Sequence, residues 1–209
     1  MQKGTVLSLK GSKAMDFIAK NNILVLLVAM LITGIACGTF AVGKFETLKS
    51  YSENYLSEFI SGRTNTSFLS IAFDSFMASM LMLLAVFASG TSMLGVILVP
   101  VLSVLRGLLY GSIAATLYAE YSLKGIAFNA VMIIPSAIIF IISLLLASRE
   151  SVKCSLIIVK ISLPKSPAVN LYQDFKNYCG RYIFICLIAL LSALTDAVLS
   201  RSFLADFTL

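Results

Sequence analysis

Five times between residues 23 and 203 the sequence enters a stretch of about 20 or more mostly apolar residues. The stretches cover about 23–43, 68–89, 94–118, 125–147 and 182–203. At 1.5 Å per residue, each is long enough as a helix to cross a hydrocarbon core of roughly 30 Å. They are rich in Leu, Ile, Val, Ala and Met without strict alternation, whereas barrel strands are short and alternating. A helix also satisfies its own backbone groups in lipid. Only 12% of the 209 residues are charged and 59% are hydrophobic, about half the charge of a soluble domain. So few charges cannot clothe a water-facing surface, which excludes a soluble globular enzyme. The expected fold is an all-α integral membrane protein, one membrane domain over residues 1–209 built as a polytopic bundle of five transmembrane helices.

The first stretch follows a polar, basic segment with Lys3, Lys10, Lys13 and Lys20. It is longer than the core of a cleaved signal peptide, about 7–15 residues. Gly34-Ile35-Ala36-Cys37 loosely resembles a lipoprotein cleavage box, but Gly34 stands where such boxes place a larger apolar residue. An uncleaved first helix is therefore expected. Pro100 and Gly107 leave the third span open to a kink or break. With the N-terminus inside, Lys and Arg number ten on the inner side and five on the outer, setting aside Arg106 within a span. That asymmetry orients the chain, and five spans then put the C-terminus outside. The charges collect between apolar segments, so the net charge of +6 points to membrane topology and not to nucleic acid.

Two connections are long. The outer loop 44–67 carries Phe45, Leu48, Tyr51, Tyr55 and Phe59 at near-helical spacing, with Glu46, Glu53 and Glu58 mainly elsewhere around the wheel. It reads either as an amphipathic helix resting in the headgroups or as a docking surface for an extracytoplasmic partner, and the two are compatible. The inner loop 148–181 holds Arg149, Lys153, Lys160, Lys165, Lys176 and Arg181, with Pro164 and Pro167. Its apolar part, Ser155–Leu163, either extends the fourth helix or lies at the interface, where the basic residues favour anionic lipid.

Three ionisable residues fall in spans: Asp74, Arg106 and Asp196. Buried charges in a membrane face protein or water and are usually paired. Arg106 reaching outward meets either carboxylate in the first reading, an ion pair that fixes helix register. A substrate or proton path and snorkelling to the surface are the others. Gly34 and Gly38 form one GxxxG, while Gly107 and Gly111 form another that Ala115 continues. Such strips let helix backbones approach closely. Cys37 and Cys186 lie in apolar runs and read as small buried hydrophobes. The sequence has no His, no GxxxxGK[ST], no HExxH and no GxSxG. No catalytic residue, cofactor or metal is therefore expected.

Val104–Ala147 holds Gly107 and Gly111 on one helix, then Lys124-Gly125, then Pro135 within the next. This order resembles the central region of the stage II sporulation protein M family, with its Gly-rich helix, KG turn and proline-containing helix. The first span, with Lys20-Asn21-Asn22 before it and Gly34 and Gly38 within it, is similar to the family's N-terminal helix. The chain departs from many relatives in having Ser136 after the proline and no acid over residues 137–147.

The resemblance implies a multi-pass protein of the mother cell's septal membrane, needed when that membrane engulfs the forespore. Such proteins anchor and recruit two peptidoglycan hydrolases, stage II sporulation proteins D and P, and catalyse nothing themselves. The expected function is a non-enzymatic scaffold of the engulfment machinery. The alternative is a permease-like membrane subunit working with a separate ATPase, because the chain carries no nucleotide site of its own.

Overall fold

The structure, a computed structural model, describes residues 21–64, 66–162 and 171–203, and every regular element among them is helical. α1 spans Asn22–Val42, α2 Glu46–Thr64, α3 Phe68–Gly90 and α4 Gly95–Phe128. A π-helical turn, Asn129–Ile133, leads into α5, Ile134–Ile161, and α6 spans Leu171–Phe203. By length and composition four stretches can cross a membrane: Asn22–Val42, Phe68–Gly90, the continuous run Gly95–Ile161 and Tyr172–Phe203.

The run Gly95–Ile161 has 67 residues, about 100 Å if straight. It is bent back on itself. The expected break at Pro100 or Gly107 does not occur, since α4 passes through both and its one non-helical residue is Ser122, at φ 48° and ψ −124°. Pro100 forfeits one hydrogen bond near the start of the helix, a defect that neighbouring helices tolerate. Beyond Ser122 the chain returns antiparallel to α4. The Ser155 hydroxyl donates to the Ser92 carbonyl at 2.7 Å, and Arg106 lies 4.7 Å from the Phe140 ring centroid. The reversal is tight enough that a Cβ on Gly125 would collide with the Leu117 carbonyl oxygen.

A serine held at positive φ stores about 1–3 kcal/mol of strain. Ser122→Gly is therefore expected to raise stability by about 1 kcal/mol after the larger unfolded-state entropy of glycine is subtracted. Thermal unfolding of the detergent-solubilised protein, followed by circular dichroism, checks this, and an unchanged or lowered midpoint contradicts it. The π-helical turn has a separate cause. It ends just before Pro135, whose ring would clash with the carbonyl four residues earlier in a regular helix, and a widened turn removes that clash. Asn129, buried in this turn, donates from Nδ2 to the Tyr118 hydroxyl at 2.7 Å.

Packing also shapes the inner loop 148–181. α5 continues to Ile161, one of the two readings open for Ser155–Leu163, and α6 already begins at Leu171, so most of the segment is helix and not loop. These extensions hold each other. The Ser151 and Tyr178 hydroxyls share a hydrogen bond of 2.9 Å, and Glu150 receives both Lys153, at 2.9 Å, and Arg181. Arg149 donates to the Asn21 side chain at the start of α1, at 3.1 Å. Leu163, Pro164, Lys165 and Pro167 lie outside the described residues. Cys37, expected to be buried, is exposed on α1.

The surface is largely apolar, unlike that of a soluble protein, and the apolar interior also holds many hydroxyls. Leu69, Leu81, Ile97, Leu123 and Phe184 are exposed, while Ser103, Thr116, Ser143, Ser148 and Ser155 are buried. Several of these hydroxyls stitch helices together, as where Ser143 donates to the Ile185 carbonyl at 3.1 Å and Ser192 to the Ser136 carbonyl at 2.8 Å. The main apolar core gathers Leu83, Val86, Val99, Phe140, Leu144 and Tyr182, and a smaller one joins Leu56 of α2 to Leu117, Phe128 and Met132.

Candidate functional site

The most extensive helix contact is between α1 and α4, which run parallel. Gly34 sits against Val104 and Gly38 against Leu108, while Gly107 sits against Leu31 and Gly111 against Ile35. A Cβ on any of the four would meet a backbone carbonyl oxygen well inside 3.0 Å. Ala115 continues the α4 strip half-buried. Backbones this close gain van der Waals contact that larger residues would prevent.

α2 docks on this platform through one face. Leu48, Ser52, Leu56, Phe59 and Arg63 recur at steps of three or four residues and turn inward. Ser52 shares a 2.6 Å hydrogen bond with Thr116 of α4, and Phe59 packs near Leu56. The expected docking set is therefore divided. Leu48 and Phe59 belong to the seat of the helix, whereas Phe45, Tyr51 and Tyr55 are 61%, 61% and 46% exposed.

The inward face of α2 covers a cavity of about 310 Å³ that Asp74, Arg106 and Asp196 all line. The pairing within it differs from the expected one. Asp196 of α6 is ion-paired with Arg63, not Arg106, and also accepts from the Ser75 hydroxyl. Arg63 in turn donates to Ser75 at 3.2 Å, and its guanidinium carbon lies 3.3 Å from the Phe59 ring centroid. With side chains only 12% and 11% exposed, the pair is buried. Burial pulls the Arg63 guanidinium below its usual range, and the Asp196 carboxylate opposes part of that shift.

Arg106 has a different solution. It lies about 16 Å along α4 from Gly95, where an unpaired charge costs about 2.5–3.5 kcal/mol on insertion scales. Its guanidinium is 4.7 Å from the ring centroids of both Tyr110 and Phe140, and it donates to the Tyr110 hydroxyl at 3.1 Å. Aromatic faces and a hydroxyl offset part of the charge. Asp74 is exposed. By sequence, Arg63 is one of the five Lys and Arg counted on the outer side. The signal that identifies it is its position at the end of the Leu48–Ser52–Leu56–Phe59 stripe, which puts a cation on the buried face.

No curated protein and no solved structure matches the chain. The family model described as Stage II sporulation protein M matches residues 23–201, a range that takes in the glycine contact, α2 and the charged cavity. On that match over most of its length, the chain belongs to the stage II sporulation protein M family.

Proposed function

We propose that this protein is a non-enzymatic membrane scaffold of endospore engulfment. It anchors and recruits peptidoglycan hydrolases, stage II sporulation proteins D and P, at the mother cell's septal membrane. The chain crosses five times, because Gly95–Ile161 makes two passes joined at Ser122, with its N-terminus inside and its C-terminus outside. The excess of Lys and Arg on the inner side supports this orientation, and the parallel course of α1 and α4 supports a single return pass, α3, between them. α2 then lies on the outer side, where peptidoglycan is. On the inner side, exposed Lys160 and Lys176 are available to anionic lipid, whereas Lys153 and Arg181 are engaged with Glu150.

One observation supports α2 as the recruiting surface above all. The helix is fixed to the bundle by one face and leaves Phe45, Tyr51 and Tyr55 exposed, and aromatic residues dominate protein-binding hot spots. Replacing all three by serine, with Arg63 and Leu56 left in place, is expected to lower recovery of the two hydrolases by about tenfold or more. The assay is a pull-down of the tagged protein from mild-detergent extracts of sporulating cells, with mass spectrometry. Undiminished recovery by a variant that still inserts removes α2 as the docking surface.

The charged cavity favours a second reading, a permease-like subunit working with a separate ATPase. That reading expects an ATPase in the pull-down in place of the hydrolases, and loss of flux in Arg106→Gln.

A further inference from the structure

We infer that Arg106 and Tyr110, with half-exposed Tyr55 at the rim, form a binding site for a phosphate oxyanion at the edge of α2, independent of which protein partners the scaffold recruits. No carboxylate of a described residue lies within 4.0 Å of the Arg106 guanidinium. Its Nε is buried without a hydrogen-bond partner, and a buried guanidinium donor left unmade is costly. One Nη2 contact goes to the Tyr110 hydroxyl. That oxygen acts as the acceptor, so the tyrosine's own O–H remains able to donate onward.

The second observation is where these donors stand. Two hollows, of about 310 Å³ and about 90 Å³, meet at the same side chains, since Tyr55, Arg106 and Tyr110 line both. Guanidinium and phenolic O–H groups are donors to oxyanions, and a planar guanidinium matches phosphate geometry. Three acids line the larger cavity, and none is ion-paired with Arg106. Asp196 is engaged by Arg63 and Ser75, while Glu58 and Asp74 are exposed. The larger hollow has room for a phosphate with a small organic group attached. A lipid headgroup and a free phosphate offer the same chemistry to this site.

The test uses the full chain in dodecyl maltoside, with thermal unfolding followed by circular dichroism. One arm titrates sodium phosphate against sodium chloride at matched ionic strength. The other compares micelles doped with phosphatidylglycerol against micelles doped with diacylglycerol, which has no phosphate. Wild type is expected to unfold at a higher temperature with at least one phosphate source, because a ligand that binds only the folded state stabilises it. A response to inorganic phosphate identifies a solute site, and a response to phosphatidylglycerol alone identifies a lipid site. In Arg106→Gln the apparent affinity is expected to fall by about tenfold or more, the loss of a charge-assisted hydrogen bond. Arg201→Gln, at an exposed position near the end of α6, is expected to respond as wild type does. Should Arg106→Gln fail to fold, Tyr55→Phe/Tyr110→Phe removes two donors, keeps the aromatic seat of Arg106 and is expected to bind several-fold more weakly. The inference is overturned by no phosphate-dependent shift in wild type, by a shift that chloride or diacylglycerol reproduces, or by a shift that survives these substitutions.

Discussion

Gly34→Ala, Gly38→Ala, Gly107→Ala and Gly111→Ala are each expected to destabilise the bundle severely, although alanine is the better helix former. Propensity alone would make each substitution stabilising by about 0.8–1 kcal/mol. At these positions, however, the added Cβ collides with a backbone carbonyl of the facing helix. No side chain can rotate away to make room, so α1 and α4 must separate along their whole contact. Overpacking ordinarily costs about 1–3 kcal/mol, and a collision between two backbones belongs at or above the top of that range.

Gly62 and Gly180 provide the contrast, because a Cβ on either meets nothing within 4 Å. Gly62→Ala and Gly180→Ala should be neutral or slightly stabilising. Thermal midpoints and size-exclusion profiles of the six variants in one detergent decide the matter. Equal tolerance at all six positions would remove the glycine contact as the organiser of the bundle.

Breaking the Arg63–Asp196 pair is the second change with a large expected effect. Arg63→Met or Asp196→Leu alone leaves a buried charge without its partner, at a cost of about 3–5 kcal/mol. The double variant removes both charges from the same space and should recover most of that loss, since an apolar pair of similar volume is often as stable. Each single variant should also detach α2, because Arg63 is its last tie to α3 and α6. Limited proteolysis within residues 43–67 reads the detachment, and thermal unfolding reads the energy. Losses in the single variants that simply add in the double variant would mean that the two charges do not depend on each other.

The sequence made the membrane spans legible because length and apolarity are local properties, and a run such as Phe68–Gly90 needs no partner to declare itself. Near-helical spacing of apolar residues in 44–67 likewise marked the segment that forms α2. The partner of Asp196 was hidden for a physical reason. An arginine in a connecting loop carries the same local pattern whether it faces water or is folded beneath a helix, and only the docking of α2 brings Arg63 to α6. The reversal was legible as the gap between the spans ending at 118 and starting at 125, and it falls there. What was hidden is that one serine, Ser122, makes it at positive φ within an otherwise continuous helical run, whereas Pro100 and Gly107 allowed a break that packing overrides. The extension of α5 was one of two open readings, and the early start of α6 was hidden. Glu150, Lys153, Arg181 and Tyr178 look like polar loop residues until they meet one another.

What the sequence determined by itself is the solvent of this chain and the units it is built from. Apolar helices must form wherever a run cannot expose its backbone to lipid, and glycines four apart must mark close contact or nothing. What only the tertiary structure decided is which charge meets which, and which side of α2 remains outside. Those outcomes depend on pairs of residues far apart in the chain, Arg63 with Asp196 and Ser52 with Thr116. A contact of that kind exists only after the helices have packed.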